Sequence, residues 1–161
     1  MLFRLDALLY PLAGRYAIAY GGGVHTKHRH TGYHGFFISR CRPDQRILEV
    51  GCGGGALAFD VATQAGSLVT GVDMVPEKIA EARQRFPHPG LELHVCDATQ
   101  ALPEGTFDTV VLSNVLEHVS DRATFLKRVA ETTQAERLLI RVPLFERDWR
   151  VPLKHELGVE W

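Results

Sequence analysis

Five short apolar segments alternate with segments of helical periodicity along the middle of the chain. The apolar segments are rich in valine, leucine and isoleucine, which is typical of buried strands; they are residues 47–50, 67–73, 91–97, 107–113 and 137–142. The segments between them have apolar residues at helical spacing, at residues 56–64, 76–85 and 121–133. Pro76 and Asp121 are expected to begin the second and third of these helices. Because strands that alternate with helices form a parallel sheet covered on both faces, the pattern predicts a doubly wound α/β fold.

The first forty residues precede this alternation. Residues 2–20 have apolar side chains at roughly helical spacing, and Pro11 is expected to break or kink this helix. The helix is expected to pack on the core, and a membrane-surface or dimer-forming helix is the alternative. Three glycines then lead to a loop that contains His25, His28, His30 and His34. We interpret it as a polar lid or substrate-facing loop, with a plain exposed loop as the alternative, and residues 34–40 as a short amphipathic helix. No metal site is expected, because no cysteine or carboxylate lies nearby.

Length and composition fit a single domain. The chain has 161 residues, 45% of them hydrophobic, and can bury a core of its own. We expect N-terminal helices and the histidine-rich lid at residues 1–43, a ligand-binding core at 44–143 and a C-terminal segment at 144–161. The net charge of −1 gives no overall basic character for nucleic acid. Residues 1–46 nevertheless carry seven Lys and Arg against two Asp and Glu, which favours an anionic substrate or a solvated basic face.

Cysteine content and hydropathy indicate the compartment. The three cysteines, Cys41, Cys52 and Cys96, form neither a disulfide framework nor a metal motif, and they suit a reducing environment. No secretory signal is recognised, and no uncharged run approaches the ~18 residues of a membrane span. The sequence therefore predicts a cytoplasmic protein without a membrane span.

A glycine-rich turn follows the first predicted strand. Gly51, Gly53 and Gly55 lie between that strand and a helix, so free backbone N–H groups and a positive helix end meet at the edge of the sheet. This arrangement predicts a nucleotide-like ligand. The loop fits a dinucleotide fingerprint that ends in Ala56, but Glu49 two residues before Gly51 also fits an acidic-x-Gly-x-Gly-x-Gly pattern. A carboxylate beside the loop disfavours a pyrophosphate and favours a cationic ligand.

Polar residues end three further strands. Asp73 follows the second strand, Asp97 and Ala98 the third, and Asn114 the fourth. Ligands of open parallel sheets bind outside the carboxyl ends of the strands, so these residues are expected to meet at one site. Asp73 can accept hydrogen bonds from both hydroxyls of a ribose, and a carboxylate followed by a backbone N–H at Asp97 and Ala98 suits an adenine.

These segments together resemble the successive motifs of the class I S-adenosylmethionine-dependent methyltransferases. The matching segments are residues 47–55, 71–74, 96–98 and 107–119, and the resemblance covers about residues 45–143. It implies a mostly parallel Rossmann-like sheet of order 3-2-1-4-5. It also implies a set of cofactor-binding residues. On the methionine part, Glu49 binds the ammonium, Gly51 and Gly53 make backbone contacts, and Asn114 binds the methionine end. Asp73 holds the ribose, Asp97 and Ala98 hold the adenine, and Cys52 and Met74 complete the motifs.

The expected activity is S-adenosylmethionine-dependent methyl transfer to an unidentified small molecule or glycan, because the run at residues 115–119 is similar to small-molecule, quinone-pathway and glycan methyltransferases. Candidates for a general base are His118 and Glu117 after the fourth strand, and His34 and His30 from the lid. A helix-packing histidine is the alternative interpretation of His118. Some relatives bind a divalent metal with Glu-x-x-Glu-His, but this chain has Asn114 at the first position, so no metal is expected. The alternatives are a non-catalytic S-adenosylmethionine-binding protein and an NAD-type oxidoreductase.

The C-terminal segment departs from the family pattern. The family core has seven strands, the last two in an antiparallel hairpin, whereas this sequence contains five, so residues 144–161 are expected to be a truncated C-terminal segment, with a natural short form as the alternative. The fifth strand is then an apolar edge that invites pairing with another chain. Either the tail folds back over this edge or the protein forms a homodimer there, and the dimer is favoured.

Overall fold

The computed structural model of the protein describes residues 2–22, 25–26, 30–143 and 158. It contains a sheet whose strands are β1 (Arg46–Val50), β2 (Leu68–Asp73), β3 (Leu91–Val95), β4 (Thr109–Ser113) and β5 (Arg137–Arg141). The helices are α1 (Leu2–Tyr20), α2 (His34–Ile38), α3 (Ala56–Asp60), α4 (Pro76–Arg85) and α5 (Arg122–Thr133). A π-helical turn (Val61–Ala65) continues α3, and a 3-10 turn (Leu116–His118) follows β4.

The order of the sheet is β3-β2-β1-β4-β5, and every pair of neighbouring strands is parallel. The predicted α/β fold and strand order are thereby confirmed. In the centre of the sheet, Val50 is aligned with Val72 on one side and with Leu112 on the other. Because all strands run in the same direction, their carboxyl ends and the loops that follow them lie at one edge.

Alternating side chains of the strands supply two separate cores. Ile47 packs on one face of the sheet with residues of α2, α3 and α4, including Phe37, Leu57 and Ile79. The next residue, Leu48, packs on the opposite face with residues of α5, among them Phe125 and Val129. The period of two along a strand therefore accounts for helices on both faces, as the sequence predicts.

The helix ends follow the predicted chemistry. α4 begins at Pro76, whose missing N–H costs no hydrogen bond at this position. α5 is capped by Asp121, whose Oδ1 accepts a hydrogen bond from the Thr124 backbone N–H at 3.0 Å.

Several predicted boundaries are wrong by a few residues. The third strand ends at Val95 because Asp97 turns into the next loop, and the fourth begins at Thr109 because Oδ2 of Asp108 accepts a hydrogen bond from the backbone N–H of Arg46. The helix after the glycine loop changes to π-helical geometry at Val61. Of the break or kink predicted at Pro11, the break does not occur, because α1 is continuous through this residue and the lost backbone hydrogen bond does not end the helix.

None of the helices in the described part of the chain is both long enough and apolar enough to cross a bilayer. The tail at residues 144–161, expected to cover the fifth strand, lies outside the described residues except for Gly158. Within the described sheet β5 is an edge strand, and Ile140 is 37% exposed.

Candidate functional site

A cavity of about 750 Å³ lies at the carboxyl edge of the sheet, where the loops after β1, β2, β3 and β4 meet. All nine residues that the sequence assigns to the cofactor line it: Glu49, Gly51, Cys52, Gly53, Asp73, Met74, Asp97, Ala98 and Asn114. Their common location follows from the parallel sheet, which brings residues from four distant stretches of sequence to one edge.

The glycine loop is fixed by hydrogen bonds to β2. The backbone N–H of Gly53 donates to Oδ2 of Asp73 at 2.9 Å, and that of Cys52 donates to the carbonyl of Val72 at 2.9 Å. Gly51 has a φ of 70°, and a Cβ there would lie 2.7 Å from Cγ2 of Val115, so only glycine fits. Since the N–H of Gly53 is already used within the protein, the loop offers a ligand its bare surface and its remaining backbone groups.

The Cys52 side chain is buried in this loop and also borders the cavity. Burial raises the pKa of its thiol, and the negative charges of Glu49 and Asp73 raise it further. The thiol therefore stays protonated, and Cys52 is a small apolar part of the wall rather than a nucleophile.

Asp73 ends β2 with both carboxylate oxygens engaged by backbone groups. Oδ2 accepts from Gly53, and Oδ1 accepts from the backbone N–H of Val75 at 3.0 Å. An ionised carboxylate has about four acceptor positions, so roughly two remain for a ligand. Asp73 therefore shapes the loop and can also accept hydrogen bonds from two hydroxyl groups.

Glu49 is the most unusual group in the cavity wall. It is 4% exposed, and its Oε2 has no hydrogen-bond partner among the described residues. Burial raises its pKa to about 8, with a further contribution from the charge of Asp73. A buried acceptor without a partner is costly, and a cation with N–H donors would satisfy it. The unpaired Oε2 of Glu49 in the described structure therefore fits the ammonium group of S-adenosylmethionine.

The loop after β3 is held by a residue that sequence reasoning missed. Arg128 of α5 donates from Nη1 to the carbonyl of Thr99 at 2.7 Å and from Nη2 to the carbonyl of Ala98 at 2.6 Å. Oδ1 of Asp97 accepts from the hydroxyl and the backbone N–H of Thr99, and these hydrogen bonds lower the pKa of Asp97. Arg128 lies 30 residues from Ala98, so no local pattern identifies it.

A second missed group surrounds Asn114. Its backbone has a φ of 59°, and its side-chain Oδ1 accepts a hydrogen bond from Nη1 of Arg141 at 2.6 Å. The Arg141 guanidinium also lies 4.3 Å from the ring centre of Tyr33, which lines the cavity. Burial raises the pKa of Tyr33 to about 12, and the charge of Glu49 adds to this effect. The sequence could have indicated this contact, because Arg141 is a charged residue at the carboxyl end of β5, the edge of the sheet where the cavity lies.

Three of the candidate bases have different locations. His118 is exposed and lines the cavity. Glu117 is half-buried, is not part of the cavity wall, and has its Oε2 buried without a hydrogen bond in the described structure. His34 is 7% exposed and lies outside the wall, with its Nδ1 2.5 Å from Oδ2 of Asp60. The geometry therefore favours His118.

The histidine loop is described only in part. His25 lines the cavity and His30 is exposed, whereas His28 lies outside the described residues. Across the described ranges, no cluster of three or more His, Cys, Asp or Glu residues could hold a metal ion.

Comparison with known proteins assigns the family. The family model described as "Methyltransferase domain" matches residues 48–140, more than half of the chain. The ubiquinone biosynthesis O-methyltransferase of Caulobacter sp. (strain K31) is 35% identical over 120 residues, covering 72% of this chain and 47% of that protein. The chain therefore belongs to the methyltransferase domain family.

Solved methyltransferase structures share the fold. Coclaurine N-methyltransferase bound to N-methylheliamine and SAH has a TM-score of 0.61 at 22% identity, covering 67% of this chain and 34% of that one. Phosphoethanolamine N-methyltransferase 2 of Haemonchus contortus, in complex with S-adenosyl-L-methionine, has a TM-score of 0.58 at 25% identity, covering 63% of this chain and 25% of that one. The resemblance to class I methyltransferases is confirmed, and with it S-adenosylmethionine as the family's cofactor. The chain spans about half the length, or less, of the curated relatives it matches.

Proposed function

We propose that this protein binds S-adenosylmethionine in the cavity and transfers its methyl group to a small-molecule acceptor. The observation that carries the proposal is the buried Oε2 of Glu49, which has no hydrogen-bond partner among the described residues, at the wall of a cavity that Asp73 and Asp97 also line. S-adenosylmethionine supplies a methyl group on a sulfonium, which is a good leaving group. Little is then required of the protein beyond binding, alignment and, for a protonated acceptor, a base.

Each part of the site has a distinct role in this proposal. Glu49 binds the ammonium, and Asn114 binds the carboxylate of the same methionine moiety. Asp73 accepts hydrogen bonds from the ribose. Asp97 and Ala98 bind the adenine, on a loop that Arg128 holds in position. Gly51, Cys52, Gly53 and Met74 form the remaining wall of the cofactor pocket.

The acceptor is proposed to be a small molecule that is methylated on oxygen. Support comes from the likeness to an O-methyltransferase of ubiquinone biosynthesis, with 35% identity over 120 residues. His118, exposed at the cavity, is the proposed base that takes the acceptor's proton. His34 is proposed to be a positioning residue, since its contact with Asp60 joins α2 to α3.

Calorimetry with S-adenosylhomocysteine and with NAD tests the ligand class. Binding of the first and not of the second is the expected result, and binding of NAD alone would overturn the proposal. A screen of hydroxylated aromatic acceptors with labelled S-adenosylmethionine then tests turnover. Cofactor binding with no transfer to any acceptor would favour a non-catalytic binding protein.

We also propose a cytoplasmic location and a homodimer through β5. The free cysteines fit a reducing compartment. Ile140 and Val142 are 37% and 48% exposed at the edge of the described sheet, which favours pairing with a second copy. A monomer in sedimentation experiments at micromolar concentration would contradict the dimer.

A further inference from the structure

α1 presents a stripe of large apolar side chains to solvent. Its members recur at intervals of three and four residues and share one side of the helix; they are Leu5, Leu8, Leu9, Leu12, Tyr16 and Tyr20. Every one is between 45% and 82% exposed. Single exposed apolar residues are ordinary, but a continuous row of six along one helix marks a surface that binds something apolar.

The opposite side of the same helix faces the cavity. Ile18 is part of the cavity wall, and a Cβ on Gly14 would lie 4.0 Å from Nε2 of His25, which also lines the cavity. With 3.6 residues per turn, Ile18 and Gly14 point away from the stripe. α1 therefore lies between the cavity and whatever binds the stripe.

The charge of α1 indicates which kind of partner binds the apolar stripe. The sequence of α1 contains Arg4 and Arg15 against Asp6, and Arg15 is exposed. Two copies of α1 packed together would bring two helices of net positive charge into contact. An anionic lipid surface instead complements the charge, and tyrosines such as Tyr16 and Tyr20 suit the boundary between headgroups and acyl chains.

We propose that α1 lies in the surface of a membrane that contains anionic lipids, with the Leu5–Tyr20 stripe buried at the acyl-chain boundary. Amphipathic helices with a basic flank bind in this way without spanning the bilayer. The cavity would then open close to the lipid. The acceptor of the methyl transfer would therefore be a lipid-soluble molecule, a consequence that rests on the proposed function.

The test is co-sedimentation of the full chain with phosphatidylcholine vesicles, with and without phosphatidylglycerol. Binding is expected to need phosphatidylglycerol and to weaken with added salt. Leu8→Gln should weaken binding roughly tenfold, because the side chain leaves an apolar environment. The matched control is Leu68→Gln, at a position that is 53% exposed on β2, and it should bind like the unchanged chain. Arg15→Gln should weaken binding roughly fivefold, and only on anionic vesicles.

Three results would overturn the proposal. The first is no binding to anionic vesicles, or binding that Leu8→Gln and Leu68→Gln change equally. The second is a dimer that Leu8→Gln dissociates, which would assign the stripe to a second copy. The third is vesicle binding that appears only after deletion of residues 144–161, which would mean that the chain's own tail covers the stripe. Calorimetry with S-adenosylhomocysteine and the acceptor screen, run on the same samples, test the proposed methyltransferase function separately, since vesicle binding requires no cofactor.

Discussion

Arg141 at the end of β5 donates a hydrogen bond to Oδ1 of Asn114 at the end of β4, at a distance of 2.6 Å. Because the oxygen of the Asn114 amide is engaged, its NH₂ group is the donor that remains for a ligand in the cavity. The guanidinium of Arg141 also lies against the ring of Tyr33, so one arginine joins two residues of the cavity wall.

Asn114→Asp should therefore weaken binding of S-adenosylhomocysteine, because it replaces a donor to the methionine carboxylate by a second negative charge. We expect a loss of at least tenfold, or about 1.4 kcal/mol, by calorimetry. Aspartate tolerates the positive φ at this position, so the fold should be retained. The discriminating ligand is 5′-methylthioadenosine, which lacks the amino acid part, and its affinity should not change. An equal loss for both ligands would contradict the role of Asn114.

Glu49 should make cofactor binding depend on pH. Below its pKa of about 8 the free carboxyl group is protonated, and binding of an ammonium requires the proton to leave. The affinity for S-adenosylhomocysteine should therefore rise with pH between roughly 6 and 8, by up to about tenfold per unit, and level off above. Glu49→Gln should weaken binding and remove this pH dependence. Exposed Glu104→Gln is the control and should preserve it.

Glu49→Gln should also stabilise the ligand-free protein. The pKa of Glu49 is raised from 4.5 to about 8 in the folded state, so the folded protein holds a proton that the unfolded chain releases, and stability falls as pH rises between these two values. At pH 8, Glu49→Gln should raise the melting temperature by roughly 3 °C or more, since it removes a buried charge. A lower melting temperature at this pH would mean that the carboxylate has a stabilising partner.

Asp73→Asn should damage both the ligand contacts and the glycine loop. An asparagine retains one acceptor oxygen but places an NH₂ group against the N–H of Gly53 or Val75. We expect S-adenosylhomocysteine to bind at least about thirtyfold more weakly, from the loss of charge-assisted hydrogen bonds worth ~1.5–3 kcal/mol each. Asp44→Asn, at an exposed position, is the isosteric control. Unchanged affinity in a folded Asp73→Asn variant would remove this residue from the site.

Arg128→Met should act on the adenine side of the cavity without contacting a ligand. The carbonyls of Ala98 and Thr99 lose their donors, so the loop after β3 should move more freely. Both S-adenosylhomocysteine and 5′-methylthioadenosine should bind about three- to tenfold more weakly, as for the loss of a hydrogen bond of ~1 kcal/mol. Lys127→Met is the matched control, because its contact with Glu131 is an exposed pair at 3.9 Å. Equal effects of the two substitutions would contradict a positioning role.

Much of the cofactor side of this protein was determined by its sequence alone. The alternation of apolar strands and periodic helices led to the five-stranded parallel sheet, because local periodicity decides which side chains can be buried. The glycine turn at Gly51 and the carboxylates at Asp73 and Asp97 were placed at strand ends by the same alternation. In a parallel sheet such residues share one edge whatever the details of packing.

Only the tertiary structure decided which distant groups touch. Arg128 meets the Ala98 loop, Arg141 meets Asn114, and His34 lies against Asp60, each across 26 to 30 residues of sequence. The sequence suggested Glu49 as a ligand for a cation. Its raised pKa, and the lack of a partner for its Oε2 within the described part of the chain, depend on the side chains packed around it. Contacts of this kind leave no period in the sequence, because they are set by how the helices pack on the two faces of the sheet.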